Sequence, residues 1–290
     1  MKRVKAVEWS KTTTIFIIAF LILDIFLAVE YFKKKEERPA NIVKMTRQQE
    51  MEAEGIKNLK RLPTTVEKGS YITAQRKSFS KEEIESLRNQ KPINSLSEPK
   101  EDNPVNELNM GLTAPYALIE SDLASRANEF VAKQLLNGNN YKLWKIDKVS
   151  RQIIYYQTYN GRTLFEGEGT DANMGKITIY YNDKNEVTGY TQSMLTDIKE
   201  LENPEPMLSA SEAVNVIYSQ GRLQENSEII EWELGYYTQY PLPTFRNLAP
   251  AWRIEIKRKD ENGQEIYEEF MVHAIDGEII KGEVKQKENE

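Results

Sequence analysis

The chain has 290 residues, 29% of them charged, with a formal net charge of −6. That balance gives no basis for a nucleic-acid partner. There is no cysteine and a single histidine, His273, which excludes disulfides, Cys-type zinc sites and a cysteine nucleophile.

In chain order, residues 1–11 read as a short tail and residues 12–32, "TTTIFIIAFLILDIFLAVEYF", as a membrane-spanning helix. Twenty-one residues of helix extend about 31 Å at roughly 1.5 Å per residue, the thickness of a bilayer core. Asp24 lies near the middle. A charge there costs roughly 2.5–3.5 kcal/mol, and each Ile, Leu, Phe or Val returns roughly 0.3–0.6 kcal/mol, so the sum still favours insertion. No small-x-small cleavage site follows, so the segment is expected to be an uncleaved anchor and not a removed signal peptide. Lys2, Arg3, Lys5 and Lys11 before it balance Lys33, Lys34, Lys35 and Arg38 after it, so charge does not orient it. The tail is placed inside and the body outside, because a cytoplasmic domain needs no such anchor.

Two units are expected beyond the anchor, residues 33–204 and 205–290, with a linker near 89–110. A helix is expected from about Ile42 to Glu54, stopped by Gly55, then a strand in "YITAQRKSFS". Ser80 and Glu83 have capping-box spacing. Residues 89–110 hold three prolines and little apolar period, which reads as a loop. The chain then repeats one plan, a helix followed by an antiparallel meander. In the first pass Leu123, Ala127, Phe130, Val131 and Leu135 share a helical face. Strand-like runs follow, "YKLWKIDKV", "RQIIYYQTY", "RTLFEGE", "KITIYY" and "VTGYTQSML", with turns at Asn160-Gly161 and "NDKNE". In the second pass Ser209 caps a helix, Glu212 closes the box, and Ala213, Val216 and Ile217 face inward. "EIIEWELGYY", a loop "TQYPLPTFRNLAP", "AWRIEIKRK", a turn at Asn262-Gly263, "QEIYEEFMVHA" and "GEII" complete it. A helix over one face of an antiparallel sheet, twice, is an α+β fold.

"EWSKTTTIFIIAFLILDIFL" resembles the N-terminal signature of the YycI family of low-GC Gram-positive bacteria: an acidic residue, Trp-Ser-Lys, threonines, then an apolar run containing an Asp. "EGIKNLKRLP", "YITAQRKSFSKEE" and "APAWRIEIKRKDENGQEIYEEFMVHAIDGEII" fit the same family, and residues 1–7 depart from it as an extension. The resemblance implies a single-pass membrane protein with a cytoplasmic N-terminus and an extracellular body. It implies an accessory regulator of the cell-wall sensor kinase WalK (YycG), acting with a YycH-like protein, with the membrane helix carrying the kinase contact. It also implies an ectodomain like the C-terminal domains of YycH. Separately, "LSASEAVNVI" through "VHAIDGEII" is similar to a PepSY-type module.

For chemistry, His273 is read as an outward strand residue, with Phe270, Val272 and Ala274 inward. Glu166, Glu168 and Asp171 in "FEGEGTDANMG" are a candidate acidic pair of the glycosidase kind, read instead as a loop. "NDKNEV" lacks the ligands of a calcium loop, and no phosphate-binding glycine loop occurs. No cofactor, metal or catalytic residue is assigned. Trp144, Tyr155, Tyr156, Tyr180, Tyr181, Trp232, Tyr236 and Tyr237 are read chiefly as sheet packing. Intramembrane acids usually face another helix or water, so Asp24 is read as facing a partner's helix. Phe20, Leu21, Leu27 and Ala28 flank it, with Ile17 and Tyr31 a turn beyond; Ala28 permits close approach. The alternative is a protonated Asp24 facing lipid. With the resemblance, the function expected is a non-enzymatic membrane regulator of a sensor kinase. The rivals are a PepSY-like inhibitor of an envelope peptidase and a wall hydrolase using acidic residues.

Overall fold

The computed structural model describes residues 9–36, 45–93, 105–165, 175–237 and 245–286, without the side chains of residues 9–13, 15, 31–36, 245–246 and 283–286. It divides into two compact units, Met1–Thr46 and Arg47–Glu290.

The first unit holds α1, Trp9–Glu36, a continuous 28-residue helix. Every side chain from 16 to 30 is exposed. Among the described residues no helix is long and apolar enough to cross a membrane. The stretch 16–30 is about 22 Å long at roughly 1.5 Å per residue, and the expected span of 12–32 runs past both its ends.

The second unit is α+β, with every strand pairing antiparallel. Its first sheet has the order β3-β4-β9-β8-β6-β5, with β7 also on β6. These strands are β3 (Gln90–Pro92), β4 (Glu107–Ala117), β5 (Tyr141–Asp147), β6 (Gln152–Tyr159), β7 (Arg162–Thr163), β8 (Lys176–Tyr181) and β9 (Glu186–Ser193). The amphipathic helix α4, Leu123–Gln134, lays Leu123, Ala127, Phe130 and Val131 against Leu108, Met110, Ile153, Tyr155, Ile179 and Tyr190 of this sheet. The expected helical face is the buried one, Leu135 included. Asn160 and Gly161 both adopt positive φ, 49° and 76°, the geometry of a tight hairpin turn. β4 accommodates Pro115 within a register shift between Gly111 and Tyr116, where no ladder donor is needed.

The second sheet has the order β10-β2-β13-β14-β15, with β12 also on β13. Its strands are β2 (Ile72–Arg76), β10 (Leu195–Glu200), β12 (Glu228–Tyr237), β13 (Phe245–Lys259), β14 (Glu265–His273) and β15 (Ile279–Gln286). Helix α5, Ala210–Ser219, begins with the expected Ser209–Glu212 capping box. It buries Ala210, Ala213, Val214 and Ile217 against Ile229, Trp252, Ile254, Phe270 and Val272. Val216 is only half-buried, so the inward face is centred one position earlier than the sequence pattern places it. Helix α2, Arg47–Ala53, adds Met51 to the same core, joined by Ile56, Leu59 and Leu62. A short ribbon pairs β1 (Lys68–Gly69) with β11 (Glu205–Pro206). Segments from both sides of residue 205 therefore build the second sheet.

Four sequence expectations are corrected. The helix expected over 42–54 is described only as Arg47–Ala53, with 42–44 outside the described residues; Gly55, at φ 81°, ends it. The stretch 89–110 is not all loop. Gln90–Pro92 and Glu107 onward are strands, because Leu108 and Met110 alternate into the core; residues 94–104 lie outside the description. The run "VTGYTQSML" splits, with β9 in the first sheet and β10, from Leu195, crossing into the second. Finally, "FRNLAP" is the start of β13, where Leu248 is buried and Pro250 uses its carbonyl to accept from the Ala274 amide at 2.8 Å.

Candidate functional sites

The residues read from the sequence as a partner contact all lie on α1. Ile17, Phe20, Asp24, Leu27 and Ala28 share one face at helical spacing and are all exposed. Tyr31 lies on the same helix, though its side chain is not among those described. Phe16, Ile17, Phe20, Leu21 and Asp24 line a shallow, open notch on the helix surface. The i, i+3 and i+4 steps between them leave the Asp24 carboxyl at one end of a wall of large apolar groups.

His273 is not outward. It is buried at the end of β14. Its Nδ1 accepts the amides of Ile275 and Asp276, both at 3.3 Å, and lies 3.1 Å from Asp276 Oδ1; Nε2 lies 3.0 Å from the Tyr71 hydroxyl. Nε2 and the Tyr71 hydroxyl share one hydrogen bond, whose donor is set by the ring tautomer. Burial, then Asp276 and Glu205, raises the Tyr71 pKa, so the hydroxyl stays protonated. The cluster ties the 273–277 turn to the segment leading into β2. His273→Ala leaves two amides without an acceptor and is expected to cost about 1–3 kcal/mol. That lowers the melting temperature by roughly 2–4 °C per kcal/mol, measured by thermal denaturation.

Sequence reasoning missed the charged cluster between the two sheets. Arg253 on β13 points away from the α5 core and is 4% exposed. Its guanidinium meets Glu269 at 2.6 Å, Glu231 at 2.8 Å and Glu255 at 2.6 Å. The ring of Trp144, from β5 in the first sheet, covers it at 4.4 Å. Trp144 in turn packs on Tyr156 and Phe165. Burial works against the charge of Arg253, but Glu269 and Glu231 hold its pKa above the ordinary arginine value. On the opposite, α5-facing side of the same strand Arg258 pairs with buried Glu268 at 2.7 Å. The signal in the sequence is the alternation "WRIEIKRK", which separates charged from apolar faces. It does not show that a second sheet covers the charged face.

Glu166, Glu168 and Asp171 lie outside the described residues. Among the described residues no cluster of His, Asp and Glu could hold a metal ion. A third feature is a groove of about 510 Å³ lined by Trp232, Leu234 and Trp252 together with Pro63, Thr65 and Glu67. That is the size of a small-ligand cleft.

Two helix-covered antiparallel sheets joined by a buried charge cluster define an α+β body, and a long helix with an exposed apolar surface precedes it in the chain. The chain belongs to the YycI family: the family's model, described as YycI protein, matches residues 38–275. Membership makes it a regulatory accessory protein of the WalK (YycG) kinase system. No curated protein matches the chain. Among solved structures, an uncharacterized protein from Eubacterium rectale is similar at 11% identity and a TM-score of 0.46, over 74% of this chain and 86% of that one.

Proposed function

We propose that the chain is a non-catalytic, membrane-anchored regulator that binds the WalK (YycG) sensor kinase together with a YycH-like protein. In this reading α1 spans the membrane with its N-terminus in the cytoplasm, and the body lies outside. Contact with the partners runs through the α1 face bearing Asp24, Phe20, Ile17, Leu27, Ala28 and Tyr31. The family match, over residues 38–275, supports the kinase-regulatory part of this reading.

The circumference of α1 supports it. Amphipathic α4 and α5 each bury one stripe of apolar residues, whereas Phe16, Ile18, Ile22, Leu23, Ile25 and Phe26 are exposed on the other sides of α1 as well. A helix apolar all round belongs in a protein core or a bilayer, and this helix forms a compact unit of its own. Within a bilayer no hydrophobic force draws helices together, so packing and hydrogen bonds must supply the affinity. Asp24 offers the hydrogen bond and Ala28 the close approach.

Orientation is tested by adding protease to intact protoplasts. Residues beyond about Lys35 are expected to be degraded, and full protection of the body would reverse the topology.

A further inference from the structure

We propose that the outer edge of β12, where it borders the groove, is a docking slot for an extended, uncharged peptide segment of a partner protein bearing a bulky apolar side chain. The inference does not depend on the role of α1.

β12 pairs with β13 along its whole length. Among the described residues its other edge is held only at the two ends, each time by an extended piece of this same chain running parallel to it. At one end the Lys57 amide donates to the Ser227 carbonyl at 2.9 Å, the Ile229 amide to the Lys57 carbonyl at 3.4 Å, and Asn58 Nδ2 to the Ile229 carbonyl at 2.9 Å. At the other, the Phe165 amide donates to the Tyr236 carbonyl at 2.8 Å. Gly235 permits this second contact, since a Cβ there would strike Phe165 and the Thr163 carbonyl. Between Ile229 and Tyr236, no hydrogen bond among the described residues reaches the outer edge.

Along such a strand the amide and carbonyl of one residue point to the same edge, and alternate residues change edges. The Tyr236 carbonyl points outward, so the amides and carbonyls of Leu234 and Trp232 do too. The register shift between Ile229 and Glu231 brings both bridged ends into this outward phase. Seven residue steps are about 23 Å at roughly 3.3 Å each. With the ends taken, the gap holds roughly four extended residues.

The walls say what kind of segment fits. Trp232 and Leu234 stand opposite Ile254 and Trp252 in the strand register, giving an apolar surface beside the free backbone. The rim carboxylates are already matched: Glu67 with Arg162 at 3.1 Å and Glu233 with Lys142 at 2.9 Å. A charged ligand would have to break these pairs, whereas a neutral strand leaves them in place. Main-chain hydrogen bonds would supply affinity, and the tryptophan-lined pocket would select the side chain.

The test uses the full chain in lipid nanodiscs. The probes are blocked heptapeptides that alternate threonine and valine, with leucine, phenylalanine or tryptophan at the centre. At least one is expected to bind saturably. Trp232→Ala should weaken binding tenfold or more. So should Leu234→Pro, which deletes an amide that β13 does not use and is tolerable at an edge strand. N-methylation of alternate probe amides should abolish binding in one phase and spare it in the other. If Leu234→Pro does not fold, the two N-methylated series decide the matter alone. No binding at millimolar probe, or binding indifferent to methylation phase, would overturn the proposal. So would self-association of the chain through this edge without peptide binding.

Discussion

Replacing Arg253 by methionine is expected to destabilise the body by about 3–5 kcal/mol, the cost of breaking a buried charge cluster from one side. The reason lies in what remains. Glu269 would keep its charge with 8% of its side chain exposed, beside Glu255 at 18%. Glu231, at 56%, can turn to water and adds little. At roughly 2–4 °C per kcal/mol for a domain of this size, the melting temperature should fall by about 6–20 °C. Adding Glu269→Leu to Arg253→Met removes the stranded buried charge, and apolar replacement of both partners is often neutral. The double variant should therefore recover much of the loss. Calorimetry or a circular-dichroism melt of the single and double variants checks this. A single variant as stable as the parent would mean that the cluster is solvated and does not hold the two sheets in place.

Much of the fold is legible in local pattern because local physics decides it. The 3.6-residue period finds the buried face of α4. The Ser80–Glu83 and Ser209–Glu212 boxes mark helix starts that the structure closes with hydrogen bonds in both directions. Asn-Gly marks the β6–β7 turn. What local pattern does not contain is which sheet a strand joins. β2 and β13 are separated by some 170 residues in the chain, yet Phe245–Leu248 pair with Ile72–Gln75. β9 and β10 are adjacent in the chain and lie in different sheets.

The same gap explains His273. Alternation assigns one face of β14 to the core and the other to water. In fact every residue from Glu268 to His273 is buried, because the second face is covered as well. Met271 packs with Phe165, Tyr237 and Ala251, and Tyr71 meets the imidazole. A strand buried on both faces has no alternation to read. The Arg253 cluster and the β12 groove are hidden for a like reason, since each is made by segments distant in the chain. The residues proposed for partner contact on α1, by contrast, lie within one helix, so their shared face follows from helical spacing alone.

Replacing Asp24 by leucine is the second large expected effect, and its direction is unusual. The substitution removes a charge costing roughly 2.5–3.5 kcal/mol at a membrane centre and adds an apolar group. Insertion and expression should therefore hold or rise. The partner contact should weaken, because the carboxyl can no longer hydrogen-bond a donor on the facing helix, an interaction of about 0.6–2 kcal/mol. Since about 1.4 kcal/mol is a factor of ten, the binding constant should fall by roughly threefold to thirtyfold. Asp24→Asn, which keeps hydrogen bonding, should fall less. The measurement is quantitative co-purification of the kinase and the YycH-like protein with parent, Asp24→Asn and Asp24→Leu chains from membranes, at matched expression and beside a reporter of kinase output. Recovery is expected in the order parent, Asn, Leu, with kinase output moving in step. Parental recovery and output from Asp24→Leu would contradict it and leave Asp24 facing lipid.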